Sequence, residues 1–503
     1  MCVENDNKLL SIFIVYGIRV KSFFNYWRSY MAIDTHTKIL ATLGPSSNSE
    51  EKISELIDAG VDGFRLNFSH GSHEEHKKMY DKVRAVAKKK NAHIAIVADL
   101  QGPKLRIGKF NQEKVELKVG QDFRLDMDKD LGDETRVTLP HKEIFEALKI
   151  GDKLLVNDGN IVLKVVKNGK NYADTVVEVG GFVSSNKGVN LPNSTLNISP
   201  LTEKDLKDLD FALSLGIDCI CLSFVQKLSD VEEARKIIGK KAWIISKIEK
   251  PQAIDDVDNI IKASDMVMVA RGDLGVECPI EAVPVLQKHI VERCRQHGKP
   301  VIVATQMLES MISSPMPTRA EVSDVANAVY DGVDVVMLSA ETAAGKYPVE
   351  TVKKMQGVIE QVESGPRYAE NVSRFCVGSQ YDNISCAITY AAGRVVRTLD
   401  KVACLTTFSV SGKTTLSMAQ ERPLLPILAI TDNEETARRL NLVWGVRTFI
   451  DKKVFAKFDN LEVVARGFAR ISGCACEGEY VVVTAGYPFG KVGSTNVLHI
   501  VQV

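Results

Sequence analysis

Neither sign of charge prevails in this chain. Lys plus Arg and Asp plus Glu both number 64, so no overall field recommends a nucleic acid or an anionic membrane as partner, and any basic site has to be local. Long apolar runs are missing as well. Leu9 to Ile18 is mostly apolar but stops at Arg19 and Lys21, well short of the roughly 20 residues that cross a bilayer. It has the length of a signal-peptide core, yet no small-residue cleavage site follows it, and Met31 stands just ahead of the first globular pattern. The expectation is a dispensable N-terminal extension over residues 1–33, with a membrane-surface or targeting role as its alternative. The ten cysteines include no CxxC pair, which argues against both a disulfide framework and a zinc site. Cys219 and Cys221, and likewise Cys474 and Cys476, read as reduced core residues sharing a strand face. What is present is 503 residues at 45% hydrophobic content, enough to bury several cores in about three domains.

From Thr37 onward, short β-branched and aliphatic runs alternate with longer amphipathic segments, the pattern of βα units and a parallel sheet. Eight strands are expected: Lys38–Gly44, Gly63–Ser69, His93–Leu100, Cys219–Val225, Trp243–Glu249, Met266–Gly272, Pro300–Gln306 and Val333–Ala340. Helical patterns such as Glu50–Ala59, Asp230–Ile238 and Val283–Gln296 lie between them, which predicts a (β/α)8 barrel. Between Leu100 and Cys219 the pattern switches to alternation with Gly and Asp turns, as in Lys114–Val119 and Ile161–Val166. This predicts a small β-barrel domain inserted after the third strand, over the barrel mouth, where it acts as a lid that excludes water. After the helix Pro348–Val362 a second α/β pattern begins, with a helix around Cys386–Leu399 and strands at Val402–Thr407, Ile427–Ile430 and Tyr480–Thr484. The expected division is 1–33 extension, 34–101 first part of the barrel, 102–188 lid, 189–363 second part of the barrel and 364–503 a C-terminal α/β domain.

In such a barrel, catalytic groups occupy the C-terminal strand ends. Those ends carry Arg65 to His70, Asp99, Lys247 with Glu249, Arg271-Gly272-Asp273, Thr305-Gln306 and Ser339-Ala340-Glu341-Thr342. Buried charges cost desolvation unless they are paired or hold a ligand, so their convergence on one mouth points to a site. Glu249 and Asp273 are hard oxygen donors that suit Mg²⁺. Arg65 and Lys247 supply the positive charge wanted by a transferring phosphoryl group. Gly272 to Gly275 offers backbone N–H groups, and a helical turn starting there favours a carboxylate. Two other readings of Arg271-Gly272-Asp273 are a plain turn and a cell-adhesion tripeptide; a strand end at a charged mouth argues against both.

The same residues carry a resemblance. Thr37-Lys-Ile-Leu-Ala-Thr-Leu-Gly-Pro-Ser-Ser47, Arg65 to Gly71, Asp99-Leu-Gln-Gly-Pro-Lys-Leu-Arg106, Ile245-Ser-Lys-Ile-Glu-Lys250, Ala270 to Glu277, Ala304 to Met311, Pro317 to Glu321 and Met337 to Thr342 closely resemble the pyruvate kinase family, over Thr37 to Val503. The resemblance implies phosphoryl transfer from phosphoenolpyruvate to ADP, giving ATP and pyruvate, in a cytoplasmic homotetramer with no nucleic-acid or membrane partner. It implies that Glu249 and Asp273 hold Mg²⁺, with Mn²⁺ as a possible substitute, and that Lys247, Arg65, Gly272, Asp273 and Thr305 contact the substrate. Ser339 would lie on the path of the proton that Thr305 faces. Asn67, His70, Arg106 and Lys187 would contact nucleotide phosphates, with a second Mg²⁺ arriving with ADP.

Many members need K⁺, held by residues matching Asn67, Ser69, Asp99 and the carbonyl of Leu100, with a glutamate nearby. Here Lys104 stands at the glutamate position, so K⁺ is expected to be dispensable, the ammonium replacing the ion. In the C-terminal domain, Ser411, Gly412, Lys413, Thr414 and Thr415 follow a strand and offer N–H and hydroxyl groups to a phosphate, although Thr407 breaks the full P-loop pattern. The resemblance makes this loop the expected site of a phosphorylated allosteric effector. A Mg²⁺-enolate lyase or aldolase, and a non-catalytic metabolite sensor, are the competing readings.

Overall fold

The computed structural model describes residues 35–192, 194, 196, 198–374, 383–452, 461–488 and 495–503. The expected extension over residues 1–33, with its apolar run and Met31, lies outside the described residues. Eight parallel strands close a barrel: β1 (Lys38–Thr42), β2 (Gly63–Asn67), β3 (Ala95–Asp99), β4 (Cys219–Leu222), β5 (Trp243–Ile248), β6 (Met266–Ala270), β7 (Val301–Ala304) and β8 (Val335–Leu338), with β8 pairing back onto β1. Each strand ends one to three residues before the expected limit, where the chain leaves the wall. After β6, Arg271 is already the first residue of a short helix, α1 (Arg271–Glu277). The interior is filled by Leu40, Val97, Cys219, Cys221, Ile245, Met268, Ile302 and Met337 among others. Burial pushes the Cys219 and Cys221 thiols up, which keeps them protonated and inert. Cys474 and Cys476 differ from expectation: they lie in the turn between the helix Leu461–Ile471 and the strand Tyr480–Gly486, not on a strand.

The N-terminal base of the barrel repeats one device four times. Asp62, Asp218, Asp265 and Asp334 each precede an even-numbered strand. Each donates its backbone N–H to the carbonyl of one residue of the preceding odd strand, and its carboxylate accepts the N–H of that same residue: Ile39, Ile96, Ile244 and Val301 respectively. Three of these aspartates occur in sequence as Gly60-Val-Asp62, Gly216-Ile-Asp218 and Gly332-Val-Asp334. Basic partners offset their charge, least for Asp62, where Lys38 stands 3.5 Å away and burial still raises the pKa. Arg84 and Arg438 lie at 2.6 and 2.7 Å from Asp218, Arg235 at 2.6 Å from Asp265, and Arg422 at 2.9 Å from Asp334.

Residues 114–190 form a six-stranded mixed sheet and a two-stranded ribbon around a core of their own. In the C-terminal α/β domain the strands β9 (Val402–Phe408), β10 (Ile427–Thr431), β11 (Val446–Ile450), β12 (Tyr480–Gly486) and β13 (Thr495–Gln502) make one sheet in the order β11-β10-β9-β12-β13. This domain docks on the barrel base. Leu442 joins the barrel's interior cluster, and a Cβ at Gly63 would meet it at 2.9 Å, so the bare backbone there permits the close approach. Trp444, fully buried, stacks on His36 at 4.4 Å, lies under Arg422 at 4.7 Å and donates its indole N–H to Tyr368 at 2.8 Å. No helix of the described residues is long and apolar enough to cross a membrane.

Candidate active site

Strand register sets the floor of the mouth. Asn67 on β2 and Cys221 on β4 are both level with Asp99 on β3, so Asp99 marks the height at which the barrel opens. Its carboxylate Oδ2 accepts from Arg65 Nε at 2.7 Å and lies 2.6 Å from the guanidinium's second nitrogen, while Arg65 also donates to Thr42 Oγ1 at 3.2 Å. Asp99 Oδ1 is buried without a hydrogen-bond partner among the described residues, 3.5 Å from Lys247 Nζ. Lys247 donates to Ser223 Oγ at 2.9 Å and stands 2.7 Å from Glu249 Oε1, off the line of a hydrogen bond. Ser223 in turn donates to the Leu100 carbonyl at 2.8 Å, and the Phe224 N–H donates to Glu249 Oε2 at 2.8 Å.

The electrostatics follow from burial and neighbours. Burial works against the Lys247 charge, but Asp99, Glu249 and Asp273 outweigh it and raise its pKa, so the ammonium persists at any working pH. Burial likewise opposes the Asp99 carboxylate, and Lys247 and Arg65 more than compensate, lowering its pKa. Glu249 is different. Burial pushes it up to about 7, with Lys247 pulling down and Asp273 pushing up. The Asp273 side chain makes neither a hydrogen bond nor an ion pair among the described residues. Two carboxylates that repel each other, one of them pushed up by burial, form a donor set that a divalent cation stabilises. No cluster of three or more His, Cys, Asp or Glu occurs among the described residues, so such a cation has to complete its shell with water and substrate oxygens, as Mg²⁺ does.

Other expected members fall differently. Arg271 turns away from the mouth: it pairs with Asp324 at 2.6 Å and donates to the Ala304 and Thr305 carbonyls at 3.2 and 2.6 Å. With that guanidinium spent inside the fold, the tripeptide cannot present itself to an adhesion receptor. Its work is to hold Thr305, which has φ +72, with Gln306 at φ +54, a costly region for a β-branched residue. Thr305 Oγ1 accepts the Gly272 N–H at 2.8 Å, so these two expected substrate contacts are paired with each other. Glu341 is buried and caps the backbone of Ser339 at 2.7 Å and Leu308 at 3.3 Å, which fixes Ser339 at the end of β8.

The expected nucleotide residues form two groups. Asn67 and His70 share the loop after β2, where Asn67 Oδ1 accepts the Ser69 N–H at 3.2 Å and the His70 carbonyl accepts from His76 at 2.9 Å. Arg106 and Lys187 lie on the lid, flanking the bridge of Arg106 to Gly188, with Arg106 held to the Asn186 carbonyl at 2.9 Å. No hydrogen bond or ion pair joins the two groups among the described residues. Lys104 packs near Gly188 and lines a cavity with Asp273, Asn190 and Glu277, and it makes no ion pair among the described residues. In the C-terminal loop, Gly412 (φ +81) opens the helix α2 (Lys413–Gln420), and the Thr414 and Thr415 hydroxyls are already bonded to Thr495 and Thr407 at 2.6 and 2.7 Å. Ser223 and Thr42, which orient Lys247 and Arg65, escape the sequence reading. Thr42 ends β1 and Ser223 directly follows β4, two C-terminal strand ends that carry no charge, and the strand-end rule applied to uncharged ends finds them.

Comparison with known proteins agrees with this geometry. The profile described as pyruvate kinase, barrel domain, matches residues 34–352, and that described as pyruvate kinase, alpha/beta domain, matches residues 386–501. A pyruvate kinase of Agrobacterium vitis is 45% identical over 478 residues, covering 94% of this chain and 99% of its own. One from Methylorubrum extorquens is 46% identical over 464 residues, covering 92% and 96%. A crystal structure of a pyruvate kinase from Cryptosporidium parvum superposes with a TM-score of 0.88 at 32% identity, covering 97% of this chain and 99% of that one.

Proposed function

Because the chain belongs to the pyruvate kinase family, we propose that the cluster Arg65, Asp99, Lys247, Glu249 and Asp273 is the centre that transfers a phosphoryl group from phosphoenolpyruvate to ADP. The observation that carries this reading is the unsatisfied electrostatics of the mouth: two repelling carboxylates beside a buried ammonium and an oriented guanidinium. Glu249 and Asp273 hold Mg²⁺, or Mn²⁺ in its place, which when bound supplies Lewis-acid charge to substrate oxygens. Arg65, fixed by Asp99 and Thr42, grips phosphoryl oxygens. Lys247, aimed by Ser223, faces the oxygen on which charge grows as the phosphorus–oxygen bond of phosphoenolpyruvate breaks and one to the ADP terminal phosphate forms. The enolate left behind takes a proton at its methylene carbon. Thr305 and Ser339 line that side and hand the proton on through water, since neither hydroxyl is acidic enough alone. Gly272 exchanges its bond to Thr305 for one to the substrate carboxylate.

Asn67 and His70 from the barrel, and Arg106 and Lys187 from the lid, close on the nucleotide phosphates from two sides, accompanied by a second Mg²⁺. Asn67, Ser69, Asp99 and the Leu100 carbonyl surround the monovalent position, which the Lys104 ammonium fills when the lid closes. The segment 102–188 acts as the lid between barrel segments 34–101 and 189–363, and residues 364–503 are regulatory. There the backbone N–H groups from Ser411 to Lys413, more than the occupied hydroxyls of Thr414 and Thr415, receive the effector phosphate. The enzyme works as a cytoplasmic homotetramer. The lyase and sensor readings lose their ground to the family membership.

The test is the initial rate of ATP formation from phosphoenolpyruvate and ADP with Mg²⁺, for wild type and Lys247→Met. Turnover that collapses in a folded variant supports the assignment; equal rates end it. For the effector loop, Lys413→Glu should abolish activation by sugar phosphates or AMP, and full activation in that variant removes the proposed site.

A further inference from the structure

The helix α1 spans only seven residues but touches three parts of the molecule. Its first turn carries Gly272 and Asp273 into the mouth. Its last turn carries Glu277, whose side chain is 1% exposed and whose Oε1 receives two donors, Lys250 Nζ and Asn190 Nδ2, both at 2.8 Å. Lys250 directly follows Glu249. Asn190 lies two residues past the expected lid limit, yet its strand, Val189–Asn190, pairs into the six-stranded sheet of the inserted domain and so belongs with the lid. A second lid segment reaches the same helix, because the tight turn at Asn157 and Asp158 (φ +56 each) brings Gly159 against Val276, at 4.0 Å from where a Cβ would stand. One buried carboxylate therefore joins the segment bearing Asp273, the segment bearing Glu249, and the lid.

We propose that Glu277 is a positioning residue that couples docking of the lid to the alignment of Glu249 and Asp273, so that the lid residue Asn190 tunes divalent-cation affinity without touching the cation. This inference rests on the assignment of the cation to Glu249 and Asp273. Three features support it. The carboxylate is unevenly loaded: both donors fall on Oε1, while Oε2 is buried without a hydrogen-bond partner among the described residues, an arrangement that is costly to hold. Glu277 lies one helical turn from Asp273, so its displacement is passed along a rigid element. A buried ion pair is in itself a poor source of stability, since its desolvation offsets its attraction, whereas loss of one partner is felt strongly by the other. With the lid docked, Asn190 and Lys250 hold Glu277 together. With the lid away, Lys250 alone pulls the helix end toward β5. By reciprocity, a bound cation favours the docked lid by the same factor.

The experiment measures Mn²⁺ binding to the intact protein, without nucleotide, from the electron paramagnetic resonance signal of free Mn²⁺. Asn190→Ala should weaken affinity about fivefold, within the ordinary range of coupling energies. Glu277→Gln keeps an oxygen for Asn190 but no charge for Lys250, and should weaken it about tenfold, as loss of an outer-sphere carboxylate does. At saturating Mn²⁺ the kcat of Asn190→Ala should return to within about twofold of wild type, because only ground-state cation binding is lost. Unchanged Mn²⁺ affinity in folded Asn190→Ala, with Glu249→Ala clearly weakened, overturns the coupling. If Glu249→Ala also leaves affinity unchanged, the fault lies in the cation assignment instead. Should Glu277→Gln fail to fold, Asn190→Ala decides alone, since it leaves the Lys250–Glu277 pair intact.

Discussion

The two ends of this barrel bury charge in opposite ways. At the base, Asp218 has both oxygens bonded, to Arg438 on one side and to Arg84 and the Ile96 N–H on the other, and Asp334 receives Arg422 in a fork together with the backbone of Val301 and Trp444. At the mouth, Asp99 Oδ1 has no hydrogen bond among the described residues and the buried Glu249 is pushed up to about 7. Burial alone therefore marks nothing. What separates a structural carboxylate from a working one is whether the fold has already completed its bonding, since a satisfied network rigidifies and an unsatisfied one awaits a ligand.

The sharpest way to break this contrast is to remove one charge at each end. On the proposed assignment, Lys247→Met should lower kcat/KM by about a thousandfold or more, because it deletes the cation set to face the developing enolate. It should cost less stability than the base variant below, since Arg65 still pairs with Asp99 Oδ2 and Glu249, already pushed up by burial, can take up a proton. Asp334→Asn should do the reverse, destabilising by about 3 to 5 kcal/mol as Arg422 is left buried and unpaired, while the folded fraction keeps its kcat. Thermal melting and steady-state kinetics on both variants decide the matter. A base variant that loses catalysis without losing stability would erase the distinction.

The base was the less legible end. The alternation of strands and helices gave the barrel, the insertion and the C-terminal sheet, because hydrophobic period is a local signal, and charged strand ends pointed directly to Arg65, Asp99, Lys247 and Glu249. Arg271 shows the limit of that rule: the sequence places it at the mouth, but Asp324, more than fifty residues later, draws it away. The recurrence of Gly-Val-Asp or Gly-Ile-Asp at 60, 216 and 332 was visible throughout, yet its meaning depends on a closed ring in which each aspartate answers the preceding strand. Glu277 carries no local sign of its link to Asn190, 87 residues away.

A gentler probe of the base uses acid. His93 joins the barrel to β11 through Thr448, with Nδ1 at 2.8 Å from its hydroxyl and 3.1 Å from its carbonyl, and burial pushes its pKa down to about 4. The native ring is neutral, whereas an unfolded chain takes up a proton below its ordinary value of about 6.5. Stability is therefore complete above that value and declines as pH falls toward 4, because the unfolded state binds the extra proton. The ring keeps part of its surface in water, so the expected loss is on the order of 2 kcal/mol, less than the whole shift implies. Melting curves at about pH 7 and about pH 5 should separate by less in His93→Asn than in wild type. Equal acid sensitivity in the two proteins would move the effect to other groups.

The smallest expected effect is at the mouth and is a null. If the Lys104 ammonium supplies the charge that K⁺ supplies elsewhere, activity in sodium and potassium buffers should be equal, because a tethered cation is not exchanged with solvent. Lys104 lines the cavity between the inserted domain and the barrel with Asp273 and forms no ion pair among the described residues, so its charge is not already spent on a carboxylate. Lys104→Glu should then create a potassium requirement, with activity in sodium alone falling at least about tenfold, since one charge at a partly screened site is worth more than 1.4 kcal/mol. Loss of wild-type activity in sodium would show that the ammonium does not replace the ion. A Lys104→Glu variant that is inactive in both buffers would place Lys104 among the residues that bind substrate.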